Sequence, residues 1–279
     1  MKLSIGNQMI DAALDFPGRM RIAAEAGFDG VELWLGTPDL TLEHSDDDIR
    51  RLGAVLRDHG LACSSVASTL GWKALITDPD EAVFQRALAV ARRQIEAAVL
   101  LGADGVLVVT GQVLPQVPFC QAWRRLVSGF RELGAYAAAR GVRVGAETCP
   151  KLSKNLMTPG ECLSFVRDVD SPAVGVYLDT ANVLHSGYPH DFIRTLGTHL
   201  VRLHGKDLLP ADAQGRQAST WPGQGVIDWA EVVAACAEVG YAGWMALEFG
   251  PPAGQSYGAG LCRAAVASAR QVGILPAAR

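Results

Sequence analysis

The sequence predicts an α/β fold, a single (β/α)8 TIM barrel over residues 1–279, on three observations. Short β-rich apolar runs alternate with longer Ala-, Leu- and Arg-rich stretches of helical period, the pattern of βα units wound around a parallel sheet. Eight such runs occur, enough to close the sheet on itself. The length, 279 residues, is close to the about 250 residues such a barrel takes as one unit.

Taken in order, the strand-like run 2–7 leads to a helical stretch at 17–27, and 30–35 leads to 45–59. The run 61–68 precedes 79–102, 105–110 precedes 119–140, and 143–149 precedes 159–170. In the last third, 174–180 pairs with 189–197, 200–206 with 228–240 and 243–249 with 257–272. Gly27, Gly102, Gly141 and Gly240 each follow a helical stretch, where a left-handed residue ends a helix, and a strand restarts just beyond. Helix starts carry their own signals: Ser45 before three aspartates, the segment 77–81 with Asp80 before Glu81, and Thr158 before Pro159 and Glu161. The longest irregular stretch, 207–227, is rich in Gly, Pro, Gln and Asp and reads as a lid or specificity loop, with a plain surface insertion as the alternative.

Composition narrows the function. The chain is 49% hydrophobic and 19% charged, and no apolar run approaches the roughly 20 residues of a membrane helix. The formal net charge is -4 and no Lys/Arg-rich run occurs, which argues against nucleic acid and for a small-molecule substrate. The 6 cysteines include no C-x-x-C pair, and residues 1–7 read as a strand rather than a secretory leader; both point to a cytoplasmic protein with reduced thiols. Oligomeric state is open, a homo-oligomer being allowed.

Glu147, Asp179, His204 and Glu248 each stand near the carboxyl end of a strand-like run. All strand carboxyl ends of a parallel barrel open on one face, so these four can converge on one ion. Three carboxylates and an imidazole without a thiolate suit one divalent ion: Mn2+, Mg2+, Co2+ or Zn2+. Each residue also has a plain structural alternative. Glu147 or Glu248 would pair with a barrel arginine such as Arg202, Asp179 would cap the turn to Asn182, and His204 would be a satisfied core histidine. Their coincidence at strand ends on one face favours the metal. Asn182, His185, Lys206 and Ser68 are candidate substrate-binding groups, with Asn7, Glu32, Ser65, Thr110 and Asp207 as further polar residues at strand ends. Trp34, Trp72 and Trp221 are candidates for the pocket wall, Trp34 foremost.

The segments Leu178-Asp179-Thr180-Ala181-Asn182, Val201-Arg202-Leu203-His204-Gly205-Lys206-Asp207, and 223–229 leading to 240–243 and Glu248, resemble the xylose-isomerase-like barrel superfamily. Within it they are most similar to sugar isomerases and epimerases related to tagatose 3-epimerase, inosose dehydratase and hydroxypyruvate isomerase. The resemblance implies that Glu147, Asp179, His204 and Glu248 are the metal ligands. Two positions depart: Asn182 stands where many relatives have a substrate-binding histidine, and Lys206-Asp207 with Pro210 fills the region where tagatose-type epimerases carry an arginine. The trinuclear site of an abasic-site endonuclease of the same superfamily cannot be built, because Ser68 or Thr69 and Thr110 stand where extra histidines would be needed.

The expected function is therefore a metal-dependent isomerase or epimerase of a small polyhydroxy ketone or aldehyde, or of a sugar phosphate. Glu147 and Glu248 are the expected catalytic acid and base, transferring protons through an enediolate. A keto-polyol dehydratase, with Lys206 or His185 as its acid, and a non-catalytic sugar-binding barrel are the alternatives.

Overall fold

Strands buried on both faces, with amphipathic helices between them, close the sheet. The computed structural model describes residues 1–252 and 254–276. Its strands are β1 (Lys2–Gly6), β2 (Gly30–Leu35), β3 (Ala62–Ser68), β4 (Gly105–Val109), β5 (Arg143–Glu147), β6 (Val174–Asp179), β7 (Leu200–Gly205), β8 (Asp207–Leu208), β9 (Ser219–Thr220) and β10 (Trp244–Leu247). All but β8 and β9 form one closed parallel barrel in the order β1-β10-β7-β6-β5-β4-β3-β2. Around it run α1 (Phe16–Ala26), α2 (Asp46–Asp58), α3 (Glu81–Leu101), α4 (Phe119–Ala138), the short α5 (Pro150–Ser153), α6 (Pro159–Val169), α7 (Pro189–Leu196), α8 (Trp229–Glu238) and α9 (Ala259–Gln271).

The expected punctuation is present. Gly27 and Gly102 close α1 and α3 with φ of 95° and 75°, a conformation that costs a residue with a Cβ and costs glycine little. Ser45 and Asp48 form a reciprocal capping box on α2, Asp80 caps α3 through the amides of Ala82 and Val83, and Thr158 caps α6 through the amide of Glu161.

Two hydrophobic layers result. The larger lies between the strands and the helices, and includes Leu3, Val31, Val66, Ile95, Phe130, Phe165, Phe192 and Val266. The smaller fills the barrel itself with Trp34, Ala67, Leu107, Val109 and Tyr177. The interior also holds Arg202 near its amino end, where the guanidinium pairs with Asp104 and donates to the carbonyls of Ser64 (3.2 Å) and Val201 (2.9 Å). Arg202 is thus spent at the barrel floor, and the pairing of Glu147 or Glu248 with it, weighed from the sequence, does not occur.

The irregular stretch after β7 is more ordered than its composition suggests. Residues Asp207 and Leu208 pair antiparallel with Thr220 and Ser219, making a hairpin outside the barrel. Asp207 organises its return: Oδ1 accepts from the amides of Leu208 and Ile227, and Oδ2 from the amides of Gly223 and Gly225 and from the Trp229 indole at 2.8 Å. A Cβ at Gly225 would stand 2.3 Å from that carboxylate, so only glycine permits the approach. Asp207 is therefore a fastener of the loop and not the pocket residue its position implied.

Candidate metal centre

Neighbouring strands bring the four expected ligands together. In barrel order β10, β7, β6 and β5 are consecutive, and the register sets Asp179 beside His204 and His204 beside Ala246, two residues before Glu248. Glu147 ends β5 and pairs with Tyr177, two residues before Asp179 on the same face of β6. One ligand atom from each of Glu147, Asp179, His204 and Glu248 lies within 4.8 Å of all the others.

Asp179 and His204 are anchored on their far sides. Asp179 Oδ1 accepts from the amides of Ala181 (2.9 Å) and Asn182 (2.8 Å), so the turn-capping role weighed from the sequence is real but occupies one oxygen only. Its Oδ2 sits 2.8 Å from Lys206 Nζ as an ion pair, outside hydrogen-bond geometry. His204 Nε2 meets Glu32 Oε2 at 2.9 Å, while Nδ1 lies 3.2 Å from Glu248 and 3.8 Å from Asp179 without a hydrogen-bond partner. A fully buried imidazole nitrogen with no hydrogen-bond partner, beside a carboxylate oxygen held only by an ion pair, is costly unless something binds there. Their donor chemistry fits a divalent cation.

The electrostatics agree. Burial, with Glu248 adding to it, pushes the Glu147 carboxyl up to about 8. Burial also raises Glu248, but Lys206 and His204 outweigh it and hold that carboxyl below the ordinary range. Burial disfavours charge on His204, yet the facing Glu32 and Glu248 carboxylates raise its pKa well above the ordinary value. Lys206 behaves alike: burial opposes its charge, and Asp179 and Glu248 prevail, keeping it protonated. Within the cluster, Lys206 and the raised Glu147 and His204 balance the three carboxylates.

Above this cluster opens a cavity of about 580 Å³, lined among others by Asn182, His185, Lys206 and Glu248. Of the residues expected to touch substrate, those three polar ones apart from Glu248 lie on it. Asn182 donates to the Thr148 carbonyl (3.2 Å), and His185 is exposed at the end of the one-turn helix Asn182–His185. Lys206 bridges to Glu248 at 3.0 Å. Trp34 is 4% exposed and stacks on the His204 ring, with centroids 6.1 Å apart and planes 17° from parallel, so it walls the ligand rather than the cavity. Ser68 is placed elsewhere: its hydroxyl donates to the Leu35 carbonyl and accepts from the Leu70 amide, closing the turn after β3. Trp221 packs edge-on against Phe249.

Sequence reasoning passed over Tyr177, whose hydroxyl reaches Glu32, and over Met9, Lys151, Arg216, Ser219 and Tyr257, which line the cavity. For Tyr177 a local signal existed, since a strand's alternation puts it on the same inward face as Asp179. Arg216 and Ser219 lie in the 207–227 stretch read as a lid or specificity loop, which the sequence singles out as a segment and not by residue; Met9, Lys151 and Tyr257 come from short helices and a loop that carry no such signal.

The structure is a closed parallel α/β barrel with a carboxylate–imidazole cluster at its carboxyl-end mouth that could hold a cation. The chain belongs to the xylose isomerase-like TIM barrel family, whose profile matches residues 20–265. It is 28% identical over 253 residues to a 3-dehydroshikimate dehydratase of Pseudomonas putida, a match covering 89% of this chain and 38% of that protein. It is 34% identical over 131 residues to a D-psicose 3-epimerase of Ruminiclostridium cellulolyticum, covering 45% of this chain and 41% of the relative. The matches thus take in about two-fifths of each of these relatives. Among solved structures, an L-ribulose 3-epimerase superposes with a TM-score of 0.80 at 21% identity, covering 100% of this chain and 99% of that one, which bears on the fold alone.

Proposed function

We propose that the protein is a divalent-metal-dependent isomerase or epimerase acting on a small polyhydroxy ketone or aldehyde, free or phosphorylated, by proton transfer. The observation that carries this is the quartet of ligand atoms within 4.8 Å of one another beside a cavity that Glu248 lines, with His204 Nδ1 lacking a hydrogen-bond partner and Asp179 Oδ2 held only by its ion pair with Lys206. Glu147, Asp179, His204 and Glu248 would hold the ion. When bound, it would supply the positive charge that acidifies a C–H beside a carbonyl and stabilises the enediolate.

The protein's own groups supply the rest. Glu147 on β5 and Glu248 just past β10 are separated in barrel order by β6 and β7, so they reach a bound substrate from different directions. One takes the carbon-bound proton and the other delivers a proton to the opposite face, which inverts that carbon. A single base returning the proton to the adjacent carbon gives aldose–ketose isomerisation instead. Asn182 offers an amide to a substrate hydroxyl, and Lys206, held protonated between Asp179 and Glu248, is a fixed donor at the cavity floor.

Lys206 also favours a second reading, dehydration of a keto-polyol. After the base removes a proton next to the carbonyl, a β-hydroxyl takes a proton from Lys206 and departs as water, leaving a conjugated ketone. The similarity to a dehydratase along 89% of this chain supports the same reading.

Turnover of ketoses, keto-inositols and sugar phosphates with Mn2+ in D2O, followed by NMR, tests the proposal. Proton transfer puts deuterium at the reacting carbon, and dehydration shows as a new enone signal. Product formed with no deuterium at all would contradict proton exchange with solvent and point to a hydride shift or a shielded proton.

A further inference from the structure

Beneath the metal ligands lies a buried polar layer inside the barrel that packing alone does not require. Glu32 on β2 is 1% exposed and faces His204 across the barrel. Its Oε1 accepts from Ser65 Oγ on β3 and from Tyr177 Oη on β6, each at 2.5 Å, and its Oε2 meets His204 Nε2 at 2.9 Å. A carboxylate in this low-dielectric layer is costly unless every lone pair it turns inward is used, and here both oxygens are. The His204 ring is also confined by its neighbours: Tyr177 packs against it with centroids 4.7 Å apart at 61°, and Trp34 stacks on it. The ring therefore has little freedom to turn, and the group facing its Nε2 is an acceptor.

We infer that Glu32, braced by Ser65 and Tyr177, is the positioning residue of the metal centre: it receives the Nε2 proton of His204 and so presents Nδ1 to the ion. This inference rests on the metal-centre reading above. An imidazole offers a metal only one nitrogen at a time, and the hydrogen bond at the other sets which one. Glu32 thus decides the tautomer, and its charge makes the liganding nitrogen more basic. Ser65 and Tyr177 act one step further out. Both of their hydroxyls fall on the same oxygen, which leaves the other to the histidine. Glu32 touches neither the ion site nor the cavity and is not a catalytic residue.

The test is metal affinity, measured on the full chain by competition with a chromophoric chelator for Mn2+ and Zn2+. Outer partners of a liganding histidine are worth about 10–100-fold in affinity. Glu32→Gln should weaken binding by about that much, because the amide removes the charge and, with its oxygen kept by Ser65 and Tyr177, turns an N–H toward Nε2. Tyr177→Phe should weaken binding by less, and serves as the second variant where Glu32→Gln does not fold. Leu107→Ala, a cavity in the same barrel interior, controls for general loosening and should lower thermal stability while leaving affinity unchanged. In the Zn2+-loaded wild type, 15N spectra should show His204 with Nε2 protonated and Nδ1 bound. Metal on Nε2, or unchanged affinity in both Glu32→Gln and Tyr177→Phe, would overturn the role of Glu32. A wild type that binds neither ion would instead remove the metal centre itself.

Discussion

Two residues apart on β7, Arg202 and His204 sit in buried polar clusters of opposite character. At the barrel floor, Arg202 is satisfied by Asp104 and two backbone carbonyls, and Asp104 itself is largely solvent-exposed. At the mouth, His204 and Asp179 each keep one buried atom without a hydrogen-bond partner, beside two more carboxylates. A cluster whose donors and acceptors are used up contributes to folding; one that leaves buried polar atoms without hydrogen bonds among clustered carboxylates is arranged as a binding site would be. Both clusters look alike in sequence, as charged residues in apolar strands.

The sharpest way to break this contrast is to delete one member of each. His204→Ala and Asp179→Ala should abolish stoichiometric metal binding and activity while the protein stays folded, read by elemental analysis and circular dichroism. Arg202→Met should do the reverse, lowering stability by about 1–3 kcal/mol through the carbonyls it leaves unpaired, with metal content unchanged. Metal loss in the Arg202 variant alone would mean that the division into floor and mouth is wrong.

A smaller effect separates the two glutamates within the mouth cluster. Glu147→Gln and Glu248→Gln should both slow turnover, but only the one that removes the proton abolishes exchange of substrate hydrogen with D2O, the other retaining it. Equal loss of exchange in both would favour a single shuttling base.

The legible part of this architecture was that carried by local contrast. An acid in an apolar run, as at Glu147 in β5 or Glu248 beyond β10, stands out because a strand interior should be apolar, and barrel topology then supplies convergence without any knowledge of contacts. Capping residues such as Ser45 and Thr158 were legible for the same reason, since a cap is a relation among neighbours. What was not legible depends on partners far along the chain. Glu32 reads as a polar strand-end residue, and its role rests on Tyr177 and His204, 145 and 172 residues away. Ser68 was placed in the pocket by its position, yet its hydroxyl is taken by the turn it belongs to. The hairpin of β8 and β9 has two residues per strand, too few to show a period, and α5 has four.

Acidity should sharpen the contrast further. The Glu147 carboxyl, ordinarily near 4.5, is raised to about 8 by burial and the facing Glu248. A raised folded-state pKa contributes stability that is fully present below about 4.5 and is lost as pH rises through about 8. An ion must displace that proton and the one on His204, so apparent Mn2+ affinity should fall by about 10-fold or more for each pH unit below 8, and the thermal stabilisation conferred by Mn2+ should grow between pH 5 and 8. Calorimetry in buffers of different ionisation enthalpy should register proton release on binding at pH 7. A Glu147→Gln variant should lose part of this pH dependence, the His204 proton supplying the rest.

The mildest effect belongs to the loop. Asp207→Ala removes the acceptor for Gly223, Gly225, Ile227 and Trp229, and should open residues 208–227 to proteolysis and raise KM while metal content stays the same. A loss of metal there would tie the hairpin to the centre itself.

The most direct measurement of the central claim is equilibrium dialysis of the purified chain, stripped of metal and re-exposed to Mn2+, with ion and protein counted on both sides. The account predicts one ion per chain in the wild type, one in Arg202→Met, and none above background in His204→Ala. A wild type that takes up no ion, or a His204→Ala variant that still takes up one, would contradict it.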